Sequence, residues 1–498
     1  MTATPDKTDL QTQHLENLIA SYTQRTQASK RYAQTYRQFL ADKSSLGLGF
    51  SSELKEICYP VVVEKAAGSK LWDIDGNEYV DILMGLGINL LGHNPEFVKN
   101  AIANQLDKGF SMGPQAELAG EVAQLICELT GAERATFSNT GTEAIMTAIR
   151  MARTVTNRNK IAIFTNSYHG HSDNTLIRAT IAQYAKQAAS RKLETKIASG
   201  GLLSGLLSPI QSGLKNSIIS KGVPAAPGIP KDIAKNVLVL DYGNPRSLKV
   251  IEANKNQLAA VLVEPVQSRC PQLQPREFLQ QLRDVTSKAG IALIFDEMVT
   301  GFRIHQGGSQ AWFGIDADIV TYSKIVGGGL PMSVIAGKVA YMNCIDGGTW
   351  NYGDDSAPET KTTFFAGTFC KHPLALAASK AVLEHLKNEG LTLQEKLNKR
   401  TSQLVEELNN YFTKEGIPLI YTHFGSFFAA DTSQSKISPM ATKLMSFNIL
   451  LKGIHLRQGD KGGFISTAHT EEDINKIIQA FKDSAKELQT AGFIDPLQ

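Results

Sequence analysis

Lys324 follows the apolar run Ile319-Val320-Thr321-Tyr322 and precedes three consecutive glycines, Gly327 to Gly329. A lysine there is poorly placed for solvent and well placed for a buried site, where its amine can hold an aldehyde as a Schiff base. Alone it reads as an ordinary surface lysine; its neighbours change the weighting. Asp296 ends the run Ile291–Asp296, and a carboxylate after such a run is costly to bury unless it is paired or hydrogen-bonded. Alone it fits a structural cap equally well. Ser138-Asn139-Thr140-Gly141-Thr142-Glu143 stands between a strand pattern, Arg134–Ser138, and a helix pattern, Ala144–Arg153. Small hydroxyls and a glycine at a helix N-terminus expose N–H groups and favour an anion. The same string also makes a plain N-cap with a capping glutamate. Tyr168-His169-Gly170 follows the strand pattern Ile161–Asn166 and brings an aromatic face to the same sheet edge.

Together these groups form one toolkit. The lysine holds an aldehyde cofactor, and the buried aspartate keeps a pyridine nitrogen protonated so that the ring draws electrons. The helix N-terminus takes a phosphate, and the aromatic ring stacks. Pyridoxal phosphate is the cofactor that asks for all four.

The elements that must position this set are strands alternating with helices from about residue 115 to 340. The strand patterns are Arg134–Ser138, Ile161–Asn166, Val237–Leu240, Ala259–Glu264, Ile291–Asp296 and Ile319–Ser323. Several are nearly all apolar, as a parallel strand covered on both faces must be. The alternation predicts an α/β sheet layered by helices, with ligands at the carboxyl ends of its strands. Ahead of it, Val61 to Leu83 alternates around Gly68 and Asp75-Gly76-Asn77, which predicts an antiparallel meander. Residues 95–108 then read as a helix.

Residues 1–45 read as a helical extension. Leu15, Leu18, Ile19 and Tyr22 keep helical spacing, as do Tyr32, Tyr36, Phe39 and Leu40, and both stripes are expected to dock on the main body. Residues 46–110 are assigned to the first part of a small lobe and 111–372 to a large domain. Within it, 178–230 is a Gly/Ser/Pro-rich insertion too long for an ordinary connection. Residues 373–498, with helix patterns at 374–389 and 391–415, are assigned to a C-terminal small domain.

Composition narrows the class. The chain has 498 residues, 42% hydrophobic and 20% charged, which excludes a mainly disordered protein. With 51 basic and 48 acidic residues the net charge is only +3, so nothing favours nucleic acid or an anionic membrane as a partner. No apolar run reaches the length of a membrane span, and the polar N-terminus lacks a signal-peptide core. Cys58, Cys127, Cys270, Cys344 and Cys370 are scattered, as reduced thiols of a cytoplasmic protein without a structural metal site would be.

The motifs, in order, resemble those of class III aminotransferases of fold type I. They are Trp72-Asp73-Ile74-Asp75-Gly76-Asn77, Gly92-His93-Asn94-Pro95, Asn139-Thr140-Gly141-Thr142-Glu143-Ala144, Tyr168-His169-Gly170 and Glu264-Pro265-Val266. After them come Phe295-Asp296-Glu297, Thr300-Gly301-Phe302-Arg303, Ser323-Lys324, Gly367-Thr368-Phe369 and His372-Pro373-Leu374. The resemblance runs from about residue 50 to 490. It implies a large domain with a mostly parallel sheet layered by helices, plus a smaller α+β lobe. Within the class the chain is similar to the glutamate-1-semialdehyde aminomutase branch. Its segments 264–279 and 364–375 and its helical lead-in are similar to the aminotransferase domains of polyketide and nonribosomal peptide synthases.

The resemblance implies roles. Lys324 holds the cofactor and shuttles the proton, and Asp296 pairs with the pyridine nitrogen. Thr140, Gly141 and Thr142 bind the phosphate. Tyr168 stacks on the ring with His169 beside it, and Met298 packs on the other face. Glu264 lies near the cofactor hydroxyl and the substrate amine, and Thr368 reaches the phosphate of the neighbouring subunit in a homodimer. The implied reaction moves an amino group from a donor amino acid, glutamate or glutamine, to a keto or aldehyde acceptor. A β-keto acyl thioester on an acyl carrier protein is one such acceptor. The alternatives are glutamate-1-semialdehyde 2,1-aminomutase or an amino-acid racemase, and, third, a non-catalytic homologue. Lys461 stands where aminomutase relatives carry a glutamate, which weighs against the aminomutase. Leu202, Leu203, Leu206 and Leu207 either line an acyl path or pack on the body. Arg303 and Arg457 are the candidates for holding a donor carboxylate.

Overall fold

A computed structural model describes residues 7–43, 50–179, 220–457, 459 and 462–497. The chain divides into two units, Ile102–Asn388 and Met1–Ala101 with Glu389–Gln498. In the first, an eight-stranded sheet runs in the order Arg134–Ser138, Ser333–Gly337, Ile319–Tyr322, Ala292–Asp296, Leu258–Val263, Lys160–Phe164, Val237–Leu240, Ser220–Lys221. Every residue of Leu258–Val263, Ala292–Asp296 and Ile319–Tyr322 is buried. That is the burial expected of parallel strands covered on both faces. The five strands from Ile319–Tyr322 to Val237–Leu240 are parallel.

Ser333–Gly337, a strand not anticipated from the sequence, inserts antiparallel to both of its neighbours. Its polar start and small residues hid it beside the glycine run. Two reversals restore direction, so Arg134–Ser138 points the same way as Ile319–Tyr322, and its last residue reaches the edge where the parallel strands end. Gly337 is required by close approach: a Cβ there would stand 2.3 Å from the Asp318 carbonyl oxygen.

The helix Gly141–Thr156 lies across this sheet. Ala144, Ala148 and Ala152 recur every fourth residue, and with Ile145, Ile149 and Met151 they pack on Ile161, Ala260, Ile294, Ile319 and Ile335. Each fully buried isoleucine there contributes about 1.5–3 kcal/mol. Residues 373–388 of the helix Pro373–Glu389 belong to this unit as well, so the boundary falls beyond the expected 372/373. Gly328 meets Ala378, and Lys387 pairs with Glu128 at 2.7 Å, as Lys380 does with Glu121.

The second unit holds the expected meander, Val63–Ala67, Lys70–Asp73 and Glu78–Asp81, extended by Ile454–His455. A three-stranded sheet and the helices Thr392–Lys414, Pro439–Leu451 and Glu471–Thr490 complete it. Asp81 ties these parts together. Its buried carboxylate pairs with His93 and His455, both at 2.8 Å, and accepts Leu83 N–H at 2.9 Å and Met84 N–H at 3.0 Å.

The helix Lys7–Arg25 docks on Pro439–Leu451 through buried Leu18 and Tyr22, whose ring meets Phe447 edge-on at 5.1 Å. The second stripe departs from expectation. The helix Gln27–Tyr36 is held at its first turn, where Asp75 accepts from Ser29 N–H at 3.0 Å and Ser29 Oγ at 2.8 Å. Tyr32, Tyr36, Phe39 and Leu40 stay exposed. Spacing fixed a helical face there but not a partner for it. The cysteines among the described residues form no disulfide, and no helix among the described residues is long and apolar enough to cross a membrane. Most of 178–230, including Leu202, Leu203, Leu206 and Leu207, lies outside the described residues, as does Lys461.

Candidate active site

The ends of the like-directed strands deliver the site. Lys324 follows Ile319–Tyr322 in a single turn of helix, Lys324–Gly327, with its own φ at +52°. A non-glycine residue in that region is strained, and such strain collects at functional positions. Loss of solvation lowers the Lys324 pKa; Asp296 and Glu264 oppose this, and Arg303 adds to it. More of the amine is therefore neutral, and nucleophilic, than in an exposed lysine.

Asp296 closes its strand with a buried carboxylate. Oδ2 pairs with His169 Nδ1 at 2.7 Å and Oδ1 accepts the Met298 N–H at 3.1 Å. His169 is buried too, and its Nε2 has no partner among the described residues. An orphaned polar atom of this kind calls for a polar group on a bound molecule.

Glu264 joins two loops. Oε2 accepts the Tyr168 N–H at 2.9 Å, and Oε1 accepts Ser268 N–H at 3.2 Å and Ser268 Oγ at 3.0 Å. Burial raises its pKa and Asp296 adds to this, while His169 and the two N–H donors oppose it. Tyr168 remains 47% exposed, so its ring is open to a ligand, and the Arg269 guanidinium lies 5.5 Å from the ring centroid.

At the helix N-terminus Thr140 is the cap. Its Oγ1 accepts the Glu143 N–H at 3.2 Å, and Glu143 Oε2 accepts the N–H groups of Asn139 and Thr140 at 2.8 and 3.1 Å. This capping box leaves the N–H groups of Gly141 and Thr142 without an acceptor among the described residues, in the place where an anion fits. A Cβ on Gly141 would stand 2.9 Å from Met298 Sδ, so the glycine lets Met298 close against the loop. Gly170, at φ +77°, admits Thr142 in the same way.

The structure thus brings Lys324, Asp296, Glu264, His169, Tyr168 and Met298 to the same edge as Thr140, Gly141 and Thr142. These residues fit pyridoxal phosphate: an amine, a carboxylate, an open aromatic face and an anion cradle. Thr368 is exposed, on 366–369. Arg303 is buried, and its Nε donates to the Val299 carbonyl at 3.1 Å. Its burial lowers its pKa to about 9. Arg457 belongs to the other unit. No group of His, Cys, Asp and Glu among the described residues could hold a metal ion.

Two residues were missed from sequence. Glu297 follows Asp296 and is fully buried, and it caps the helix Gly308–Phe313 rather than facing the site. Arg269 went unnoticed because a single arginine in a proline-rich loop carries no periodic signal.

The family described as Aminotransferase class-III matches residues 52–198 and 206–483. Glutamate-1-semialdehyde 2,1-aminomutase of Alkaliphilus oremlandii is 33% identical over 86% of this chain and 92% of its own length. Glutamate-1-semialdehyde 2,1-aminomutase 2 of Brevibacillus brevis is 34% identical over 86% and 91%. Among solved structures, a transaminase with PLP bound superposes with a TM-score of 0.77 at 24% identity, over 94% of this chain and 99% of that one. A glutamate-1-semialdehyde aminomutase from Pseudomonas aeruginosa gives 0.77 at 19% identity, over 96% and 99%. These superpositions establish the shared fold of pyridoxal-phosphate transferases.

Proposed function

The chain belongs to the class III aminotransferases, and from that premise we propose that it moves an amino group between adjacent carbons of one substrate, as a glutamate-1-semialdehyde 2,1-aminomutase does. The observation that carries this reading is the extent of its likeness to curated aminomutases, across 86% of the chain.

Pyridoxal 5'-phosphate is the cofactor. When bound it supplies an electron sink that acidifies the carbon–hydrogen bond beside the substrate amine. The chain's own residues do the rest. Lys324 Nζ holds the cofactor between turnovers, then takes the proton from one substrate carbon and returns it to the next. Asp296, fixed by His169 and the Met298 N–H, presents a carboxylate to the ring nitrogen. Gly141 and Thr142 N–H groups bind the phosphate. Glu264 holds the Tyr168 and Ser268 loops at a set separation.

The test is single-substrate conversion. Holoenzyme given glutamate 1-semialdehyde, with no other donor or acceptor, is expected to consume the aldehyde and form an amino ketone, followed by NMR. No conversion, together with release of a keto acid from glutamate, would replace this reading with two-substrate transamination. In that second reading, glutamate or glutamine donates to a keto or acyl-thioester acceptor, an acyl carrier protein presents that acceptor, and Thr368 serves the partner's site in a homodimer.

A further inference from the structure

The site needs a cation for any substrate that carries a carboxylate, and Arg303, singled out from sequence, is buried rather than at the rim. Arg303 is 1% exposed and spends its Nε on a backbone carbonyl. Arg269 differs in each respect. It is exposed, and no carboxylate among the described residues lies within ion-pair distance of it. Its guanidinium lies 5.5 Å from the centroid of the Tyr168 ring. The loops on either side of it are fixed to one another. Glu264 Oε1 accepts from the N–H and Oγ of Ser268, the neighbour of Arg269, at 3.2 and 3.0 Å, and Oε2 accepts the backbone N–H of Tyr168, whose ring lies beside the guanidinium, at 2.9 Å.

That geometry has an electrostatic reason. Glu264 and Asp296 lie near Lys324 and are buried, and on their own they disfavour an incoming anion. A guanidinium at the rim offsets that field. Its planar fork donates two parallel hydrogen bonds to a carboxylate, and the Tyr168 face beside it keeps the fork from collapsing onto the protein.

We propose that Arg269 is the specificity-determining residue that binds a substrate carboxylate at the mouth of the site, so that the enzyme selects amino acids and acidic aldehydes over plain amines. The inference rests on the amino-transfer reading only for its location, and the experiment separates the two.

Glutarate, a dicarboxylate with no amine to react, is titrated into wild-type, Arg269→Met and Arg269→Lys holoenzyme by calorimetry at low and high salt. Binding to the wild type is expected to weaken about tenfold in Arg269→Met, with partial recovery in Arg269→Lys, as loss of a charge-assisted bidentate contact predicts. The salt dependence should fall in the Met variant. In parallel, cofactor conversion is followed with glutamate and with 1-aminobutane. The Met substitution should raise the half-saturating concentration for glutamate about tenfold and leave that for aminobutane unchanged. Equal glutarate binding by all three proteins, no glutarate binding by the wild type, or equal loss for both amines would overturn the inference. Arg269-dependent glutarate binding without any cofactor conversion would instead remove the amino-transfer reading and leave the carboxylate site standing.

Discussion

The carboxylates of Asp296 and Glu297, consecutive at one strand end, have separate partners: Asp296 pairs with His169 at 2.7 Å, and Glu297 accepts the Gln310 N–H at 3.0 Å and the Ser309 N–H at 2.5 Å. The first is part of the site and the second is part of the scaffold. Substitutions at the two positions should therefore fail in different ways.

Asp296→Asn should retain the fold and bind cofactor, but lower the rate of the amine half-reaction by about 10²–10⁴-fold, the range for a lost proton-positioning group. Stopped-flow absorbance of the cofactor band measures it. An unchanged rate would remove Asp296 from the machinery.

Glu297→Gln should cost stability instead. A carboxamide places N–H donors against the N–H groups that the carboxylate now accepts, a loss of about 1–3 kcal/mol. Burial raises the Glu297 pKa to about 7, against the opposing Ser309 and Gln310 N–H groups. The unfolded chain titrates near the ordinary glutamate value of about 4.3. Between those values the folded state holds the extra proton, so this group's contribution to stability falls as pH rises from about 4.3 to 7, by on the order of 3 kcal/mol. Thermal melts from pH 5 to 8 should show that decline in the wild type and a flatter profile in the variant.

Lys324→Ala should abolish turnover while preserving circular dichroism and the melting transition. Alanine keeps the Cβ at this left-handed position, so the backbone strain is unchanged and no loss of stability is expected from it. The absorbance band of lysine-bound cofactor should vanish. Turnover at the wild-type rate would sink the proposed chemistry.

Asp81→Asn should destabilise the unit that contains it by about 3 kcal/mol, because it weakens two charge-assisted hydrogen bonds to a buried group. Burial pulls the Asp81 pKa upward, but hydrogen bonds from His455 and His93 hold it well below the ordinary range. Its contribution is therefore present above about pH 3.9 and lost as pH falls below that value. Urea denaturation at pH 7 and pH 3 should show a smaller gap between variant and wild type at the lower pH.

Much of the site was legible because its residues sit where strand patterns stop. Lys324, Asp296 and His169 follow apolar runs, and Thr140 opens a helix. What escaped was whatever depends on tertiary partners. Nothing in Phe295-Asp296-Glu297 says which carboxylate faces inward. The spacing of Tyr32, Tyr36, Phe39 and Leu40 marks a helical face, yet burial requires a second surface that the sequence does not announce. His93 stood in a recognised motif, but its link to Asp81 and to His455, far along the chain, exists only once the strands have paired.

The antiparallel strand Ser333–Gly337 also bears on synthesis. Arg134–Ser138 lies at the edge of the sheet, and that late strand is its single neighbour among the described residues. A ribosome must therefore finish residue 337 before the segment ending at Ser138 has anything to pair with. The anion cradle at Thr140 is made early but locked in place late, well after the parallel strands between can have begun to associate. Long-range closure of this kind slows folding and leaves an unpaired edge exposed in the meantime. The nascent chain is then most in need of chaperone cover while the stretch between those two strands is emerging.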